Sequence, residues 1–416
     1  MTNSGIRVLV LTSLFPSRPG EKRGNFVLDQ VRELAAQGVE VVVLVARPWI
    51  PSAFQSYASA DKLPIAPMNY AGERFQIKNT SFFSLPRFSL GRFAANFLRV
   101  LVPAIQFIDE QGPIDVIHAH GLQLGHAAVE AAARLRIPSV ITIHGEETAP
   151  KFDNSAAKRE QVADTLERAN KVVLVGSPLL EYARKYTTKT DQCVVIGNGF
   201  TSYPDLKPST LIPRVRPVRV IAVSNYEESK GFEVLISAVD SIEPEYRSKI
   251  EMVLVGAGDF FDFIGNQVER LGLADHVHYT GPLLHRDAMA EILAADVFCL
   301  PSWREAFGIM YTEAMSLGKF TIACEGQGPS DFIQHLETGY LMEPRSTPSV
   351  ADALRWVLRN PELSKQIAER GRAYALANLT WTQNAAKILH LYRALITKKQ
   401  TLDVLRESAG SAAPKV

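Results

Sequence analysis

The sequence predicts an α/β protein made of two doubly wound parallel-sheet units. Three observations carry that prediction. The chain has 416 residues, more than one ordinary hydrophobic core serves, so two domains of roughly 200 residues each are expected. Short β-branched runs alternate with helical patterns in both halves. A proline-rich stretch interrupts the alternation midway.

In the first half, Ile6 to Leu11 (IRVLVL) and Val39 to Ala46 (VEVVVLVA) read as buried strands. Between them Val27, Val31, Leu34 and Ala35 fall on one face of a helix that Gly38 ends. Further strands are Asp115 to Ala119, Ser139 to Ile143, Lys171 to Val175 and Val194 to Ile196. Strand, helix, strand at this spacing means parallel pairing through right-handed crossovers. Tyr203 to Pro217 carries prolines at 204, 208, 213 and 217, which suits an exposed hinge. The alternation then resumes with Arg219 to Val223, Glu251 to Val255, Val277 to Thr280, Val297 to Leu300 and Phe320 to Ala323. The expected division is a first domain over 1–205, a second over 206–380, a helix over 381–407 crossing back to the first, and a disordered tail over 408–416.

Composition excludes several classes. With 45 basic against 44 acidic residues, formal net charge is +1, so nothing global attracts nucleic acid. Cys193, Cys299 and Cys324 lie far apart without metal-ligand spacing, which argues against a disulfide framework or zinc site. The opening MTNSGIRVLVLTS lacks the marks of a secretory signal, and no run of about 18 apolar residues occurs. A cytoplasmic protein without a membrane span is expected. The nearest apolar stretch, Arg92 to Ile108, is interrupted by Arg99 and Pro103. It reads either as a core-facing helix or as an amphipathic one, with Arg87, Arg92 and Arg99 on lipid phosphates. The second reading would give the 87–108 region a peripheral membrane contact.

Ligands of doubly wound sheets bind at the carboxyl ends of strands, and the candidate residues fall there. Glu305 and Glu313 are spaced E-x7-E within PSWREAFGIMYTEA, Pro301 to Ala314. Glu305 lies in the loop after a strand and Glu313 in the second turn of the helix that Gly308 opens. Such carboxylates bind sugar hydroxyls through charge-assisted hydrogen bonds, and the amides near Gly308 can hold a phosphate. Lys230, in SNYEESKG, follows another strand. Gly256 and Gly258 in VGAG are a weak dinucleotide signal, equally a tight turn. His118 and His120 in HAHG imitate a metal pair without a third ligand, and DFFD (259–262) has the wrong spacing for a metal-binding Asp-x-Asp.

The segment P-S-x-x-E-x-F-G-x-x-x-x-E-A-M-x-x-G resembles the donor-binding signature of retaining family-four glycosyltransferases of the GT-B fold. That resemblance continues in order through DVIHAHG (115–121), TIHGEE (142–147), VGSPLLEYARK (175–185), IGNGF (196–200), VGAGD (255–259) and HLETGYLMEP (335–344). FPSRPGEKRGNFVLDQ (15–30) and GQGPSDFI (326–333) are similar to stretches of bacterial exopolysaccharide and teichuronic-acid-type transferases. The resemblance implies two Rossmann-like domains facing a cleft, and transfer of a hexose-type sugar from a nucleotide-diphosphate donor to a saccharide or lipid-linked acceptor. It implies no metal or other cofactor. His144, Lys230 and Glu305 become the expected catalytic residues. Gly24, Asn225, Gly256, Ala306, Phe307, Gly308, Ile309 and Glu313 join Lys230 and Glu305 in donor binding, and Asn25 and His120 fall on the acceptor side. Asn225 stands where the family usually has arginine, so one charge is missing at the diphosphate. No placed carboxylate stands out as a nucleophile for retention, and the resemblance implies front-face attack instead. The competing readings are a nucleotide-sugar-binding protein without transferase activity and a GT-B-fold epimerase. A nicotinamide-dependent dehydrogenase is disfavoured, because the first strand lacks a G-x-G-x-x-G turn.

Overall fold

The computed structural model describes residues 5–16, 24–50, 70, 72–83, 93–148 and 154–411. The chain divides into two units. Unit 1 takes in residues up to Val175, Leu179–Gly197 and everything from Trp381 onward. Unit 2 takes in Gly176–Pro178 and Asn198–Thr380.

Unit 1 runs β1 (Arg7–Thr12), α1 (Asn25–Ala36), β2 (Glu40–Trp49), β3 (Gln76–Phe83), α2 (Phe93–Glu110), β4 (Val116–His120) and α3 (Leu122–Leu135). It continues through β5 (Ser139–Ile143), α4 (Ala156–Arg168), β6 (Lys171–Leu174), α5 (Pro178–Arg184) and β7 (Cys193–Val195). The seven strands are parallel in the order β3-β2-β1-β4-β5-β6-β7. Alternation of side chains along β1 divides the core between two faces. Val8 and Val10 pack with α1, while Leu9 and Leu11 pack with α2 and α3. The sequence missed β3, an edge strand whose polar outward positions weaken its apolar signal.

Helix α2 answers the question posed by Arg92 to Ile108. Leu101, Val102, Ile105 and Ile108 are buried, so this face belongs to the core. Arg99 is exposed, Phe107 is 61% exposed, and Arg87 and Arg92 lie outside the described residues. No described helix is long and apolar enough to cross a membrane.

Unit 2 comprises β8 (Val218–Val223), α6 (Phe232–Ser241), α7 (Pro244–Arg247), β9 (Ile250–Val255), α8 (Phe261–Arg270), β10 (Val277–Gly281) and α9 (His285–Ala294). It ends with β11 (Val297–Cys299), α10 (Ile309–Ser316), β12 (Phe320–Cys324), β13 (Tyr340–Met342), α11 (Thr347–Arg359) and α12 (Pro361–Asn378). Its parallel order is β10-β9-β8-β11-β12-β13. Both sheets therefore reverse their winding once, between β1 and β4 and between β8 and β11. Those switch points are where doubly wound sheets hold ligands.

The proline-rich segment is not the free hinge expected. Arg219 and Glu251 form a fully buried ion pair (2.6 Å), and Glu251 also accepts from the Val215 and Arg216 amides. Arg219 donates to the Ile212 carbonyl, Ser209 to Glu291, and Arg214 to Asp296. A buried carboxylate needs several donors, and this one takes them from the segment itself, strapping it to unit 2. The last helix, α13 (Trp381–Ser411), packs in unit 1 through Ala385, Ile388, Leu389 and Tyr392. Asn384 accepts from Gln30 Nε2 and donates to the Gly197 carbonyl, both at 2.8 Å. Helix α13 extends to Ser411, past the start of the expected disordered tail, and 412–416 lie outside the described residues.

Candidate functional site

At the switch point of unit 2, the loops after β8 and β11 are locked together by backbone. Trp303 N and Ser302 Oγ both donate to the Ser229 carbonyl, and Tyr311 Oη donates to the Leu300 carbonyl (2.7 Å). Gly231 has φ +73°, and a Cβ there would stand 2.3 Å from the Pro301 carbonyl oxygen. Only glycine allows this approach, so the Lys-Gly pair is one device: the glycine seats the loop and the lysine projects from it. The result is an ion pair between Lys230 Nζ and Glu305 Oε2 at 2.9 Å, both side chains under one-fifth exposed. The sequence placed both residues at strand ends but gave no sign that they touch.

Helix α10 begins at Gly308, φ +90°, with no side-chain cap and no acidic residue in its first turn. Its first amides keep the partial positive charge that favours an anion. Glu313, on the second turn, is 1% exposed, and its Oε1 pairs with His285 Nε2 at 2.8 Å.

A second glycine-rich segment supports the Glu305 loop. Glu305 N donates to Gln327 Oε1 (3.0 Å), and Gly328 N donates to the Glu305 carbonyl (2.8 Å). A Cβ on Gly328 would meet Ala306 O and Phe307 Cα at 2.5 Å. Phe307 is buried against Phe332. Phe307 is thus a packing residue by its side chain, and the Ala306 carbonyl lies close against Gly328. The GQGPSDFI stretch had a sequence signal, its glycines, but nothing local said what they press against.

Gly256 has φ +142°, and a Cβ there would lie 1.8 Å from the Ser224 carbonyl oxygen. Its glycine is explained by the close approach of the loops after β8 and β9. Asn225 is exposed in the loop after β8, and Ile309 is half-buried at the start of α10. Among the described residues, no three His, Cys, Asp or Glu side chains gather in a way that could hold a metal ion.

The switch point of unit 1 holds three histidines stacked in a ladder. Ring centroids are 4.7 Å apart between His118 and His120, and 5.2 Å between His120 and His144. His118 Nδ1 meets Tyr392 Oη (2.6 Å) and its Nε2 meets Thr142 Oγ1 (2.7 Å). His120 Nδ1 meets His144 Nε2 at 3.0 Å, and Phe26 covers the His144 ring. His120 Nε2 is buried without a hydrogen-bond partner among the described residues. A buried lone pair costs less than a buried N–H left unmade, which places the His120 proton on Nδ1. His144 Nε2 then accepts, and its own proton sits on Nδ1.

Burial pushes His118 down to about 3 and His120 well below its ordinary value, and desolvation takes His144 to about 3. All three are neutral near pH 7, and His144, the one with an exposed edge, offers a hydrogen bond rather than a charge. Glu147 is 5% exposed, and burial raises its carboxyl to about 7 although Oε2 accepts from the His144 and Gly145 amides. His120, expected on the acceptor side, is 2% exposed, with its Nδ1 engaged by His144. Gly24, φ +83°, opens α1, and a Cβ there would strike the Leu14 backbone at 2.4 Å, while Asn25 is half-buried beside it. Most of the preceding loop, 17–23, lies outside the described residues.

Comparison with known proteins matches both units. Residues 24–201 match the family model described as Glycosyltransferase Family 4, and 209–374 that of Glycosyl transferases group 1. The chain carries a family-four glycosyltransferase domain in its first half and a group 1 glycosyltransferase domain in its second. Over 184 residues it is 29% identical to a GDP-mannose-dependent alpha-(1-6)-phosphatidylinositol monomannoside mannosyltransferase of Mycobacterium tuberculosis, covering 42% of this chain and 47% of that protein. The match thus spans about half the length of that relative. A putative teichuronic acid biosynthesis glycosyltransferase of Bacillus subtilis aligns over 94% of this chain and 99% of its own, at 23% identity. Among solved structures, sucrose-phosphate synthase from Thermosynechococcus elongatus superposes with a TM-score of 0.72 at 21% identity, covering 94% of this chain and 100% of that one. Anabaena HepE, in complex with UDP and glucose, gives 0.67 at 20% identity, with the same coverage of each chain. These structural likenesses establish the GT-B fold of this chain.

Proposed function

We propose that this glycosyltransferase moves a hexose-type sugar from a nucleotide-diphosphate sugar to a saccharide or lipid-linked acceptor, in assembly of a cell-surface polysaccharide or glycoconjugate. The observation that carries the reading is the Lys230–Glu305 pair beside the uncapped start of α10, at the switch point of unit 2. A departing nucleoside diphosphate gains negative charge, and catalysis requires fixed positive groups to meet it. Lys230 has three N–H donors. One is spent on Glu305, which fixes the ammonium, and the others can reach phosphate oxygens. The amides at the start of α10 add a second anion contact where Asn225 supplies no charge. Glu313 then accepts from hydroxyls of the nucleotide. We assign His144 a neutral hydrogen bond to the transferring sugar.

The remaining features of the proposal are metal independence and retention of anomeric configuration through front-face attack. In that route the acceptor hydroxyl approaches from the side the nucleotide leaves, and the departing phosphate helps remove its proton. The mycobacterial mannosyltransferase and the Bacillus teichuronic acid transferase favour a donor of this class and an acceptor in an envelope polymer or lipid. The test is incubation with UDP-, GDP- and ADP-sugars, following nucleoside diphosphate release with and without a panel of acceptors. Acceptor-dependent release, with a product whose anomeric proton coupling matches the donor's, supports the reading. Donor binding without transfer or hydrolysis across that panel defeats it.

A further inference from the structure

A chain of hydrogen bonds stands behind Glu313. Tyr203 Oη lies 2.7 Å from His285 Nδ1, and His285 Nε2 lies 2.8 Å from Glu313 Oε1. Arg286 covers the Tyr203 ring, its guanidinium carbon 5.3 Å from the centroid. All of these residues belong to unit 2: Tyr203 sits in the strapped segment before β8, His285 opens α9, and Glu313 is on α10.

With Glu313 ionised and His285 neutral, chemistry sets the direction of every bond. An ionised carboxylate only accepts, so His285 Nε2 carries the proton that meets it. In a neutral imidazole the other nitrogen is then an acceptor, and the Tyr203 hydroxyl donates to it. The order Tyr O–H to Nδ1, and Nε2–H to Oε1, leaves no donor facing a donor. It also answers the burial of Glu313, since a carboxylate at 1% exposure is costly without fixed donors. With Oε1 held, the carboxylate plane is set, and the direction of its second oxygen with it.

We propose that His285 is a positioning residue that aims the Glu313 carboxylate at the ribose hydroxyls of the nucleotide, and that Tyr203 fixes the tautomer in which His285 does so. The inference rests on the proposed donor site and deepens it. It gives the strapped segment a task besides connection: through Tyr203 it sets the geometry of the nucleotide grip.

Calorimetric titration of UDP and GDP, and of their 2′-deoxy and 3′-deoxy counterparts, tests this on the full chain. His285→Ala should weaken the bound ribonucleoside diphosphate about tenfold, as loss of one charge-assisted positioning bond does. The loss should be much smaller for the deoxy analogue whose missing hydroxyl Glu313 reads. His285→Gln keeps one donor and one acceptor and should stay within about threefold of the parent. Tyr203→Phe should lose about threefold, and it carries the test if His285→Ala does not fold. Unchanged affinity in His285→Ala, or equal losses for ribo and deoxy ligands, overturns the positioning role. Glu313→Gln separates the layers. If it weakens the ribonucleotide while His285→Ala does not, only this inference fails. If it changes neither affinity nor ribose discrimination, the donor-site assignment of Glu313 fails with it.

Discussion

At the β1/β4 switch point of unit 1 the gathered side chains are aromatic, buried and neutral, whereas at the β8/β11 switch point of unit 2 they are charged, half-buried and paired. The two sheets wind alike, so the contrast is one of chemistry and not of topology. Desolvation makes the difference. Histidines sealed beneath α13 and α1 give up their charge and become a rigid scaffold of hydrogen bonds. Lys230 and Glu305 keep some contact with solvent and hold each other at 2.9 Å. A fold can thus repeat one architecture and place its half-buried ion pair at only one of the two switch points.

Predictions follow from that contrast, beginning with the largest effect. Lys230→Ala and Glu305→Ala should each lower sugar transfer about 10²-fold, measured as kcat/KM for the donor. Because the two act as a unit, the double variant should lose far less than the product of the single losses. Independent, multiplying losses would break the claim that the pair is one device.

Next comes the backbone that seats the lysine. Gly231→Ala places a Cβ against the Pro301 carbonyl at a left-handed φ, and should cost more than about 1 kcal/mol of stability in thermal unfolding. A melting temperature equal to the parent's would show that the loop shifts freely.

The third effect belongs to unit 1 and depends on pH. A histidine kept neutral by folding costs nothing above its ordinary 6.5 and destabilises as pH falls toward about 3. A carboxyl kept protonated by folding does the reverse. Glu147 costs nothing below its ordinary 4.5 and destabilises as pH rises toward about 7. Glu147→Gln should therefore raise the melting temperature relative to the parent at about pH 8 and leave it nearly unchanged at about pH 4. An equal shift at both values would contradict the raised carboxyl.

The smallest effect is the one proposed for chelation. EDTA should change transfer by less than about twofold, since the proposed site draws its positive charge from Lys230 and helix amides. Loss of activity restored by a divalent cation would replace that account.

The sequence carried the fold well where local patterns suffice. Buried parallel strands are continuous apolar runs, so β1, β5 and β8 could be read within a residue or so. Edge strands β3 and β13 escaped, because half their residues face solvent or the strand is only three residues long. Site residues were legible as types at strand ends. Their partners were not: Lys230 with Glu305, His285 with Glu313 and Gln327 with the Glu305 amide join different loops, and only strand order decides which loops meet. The prolines of 203–217 misled for a related reason. They exclude regular structure, but Glu251, thirty-odd residues on, decides that the segment is strapped and not free.

The central claim is that the charged switch point of unit 2 holds the nucleotide. Calorimetry of UDP and GDP binding to the parent chain, Lys230→Ala, Glu305→Ala and the double variant tests it most directly. The account predicts one nucleotide bound per parent chain, at least about tenfold weaker binding in each single variant, and little further loss in the double. Parent-like affinity in all three variants would contradict it.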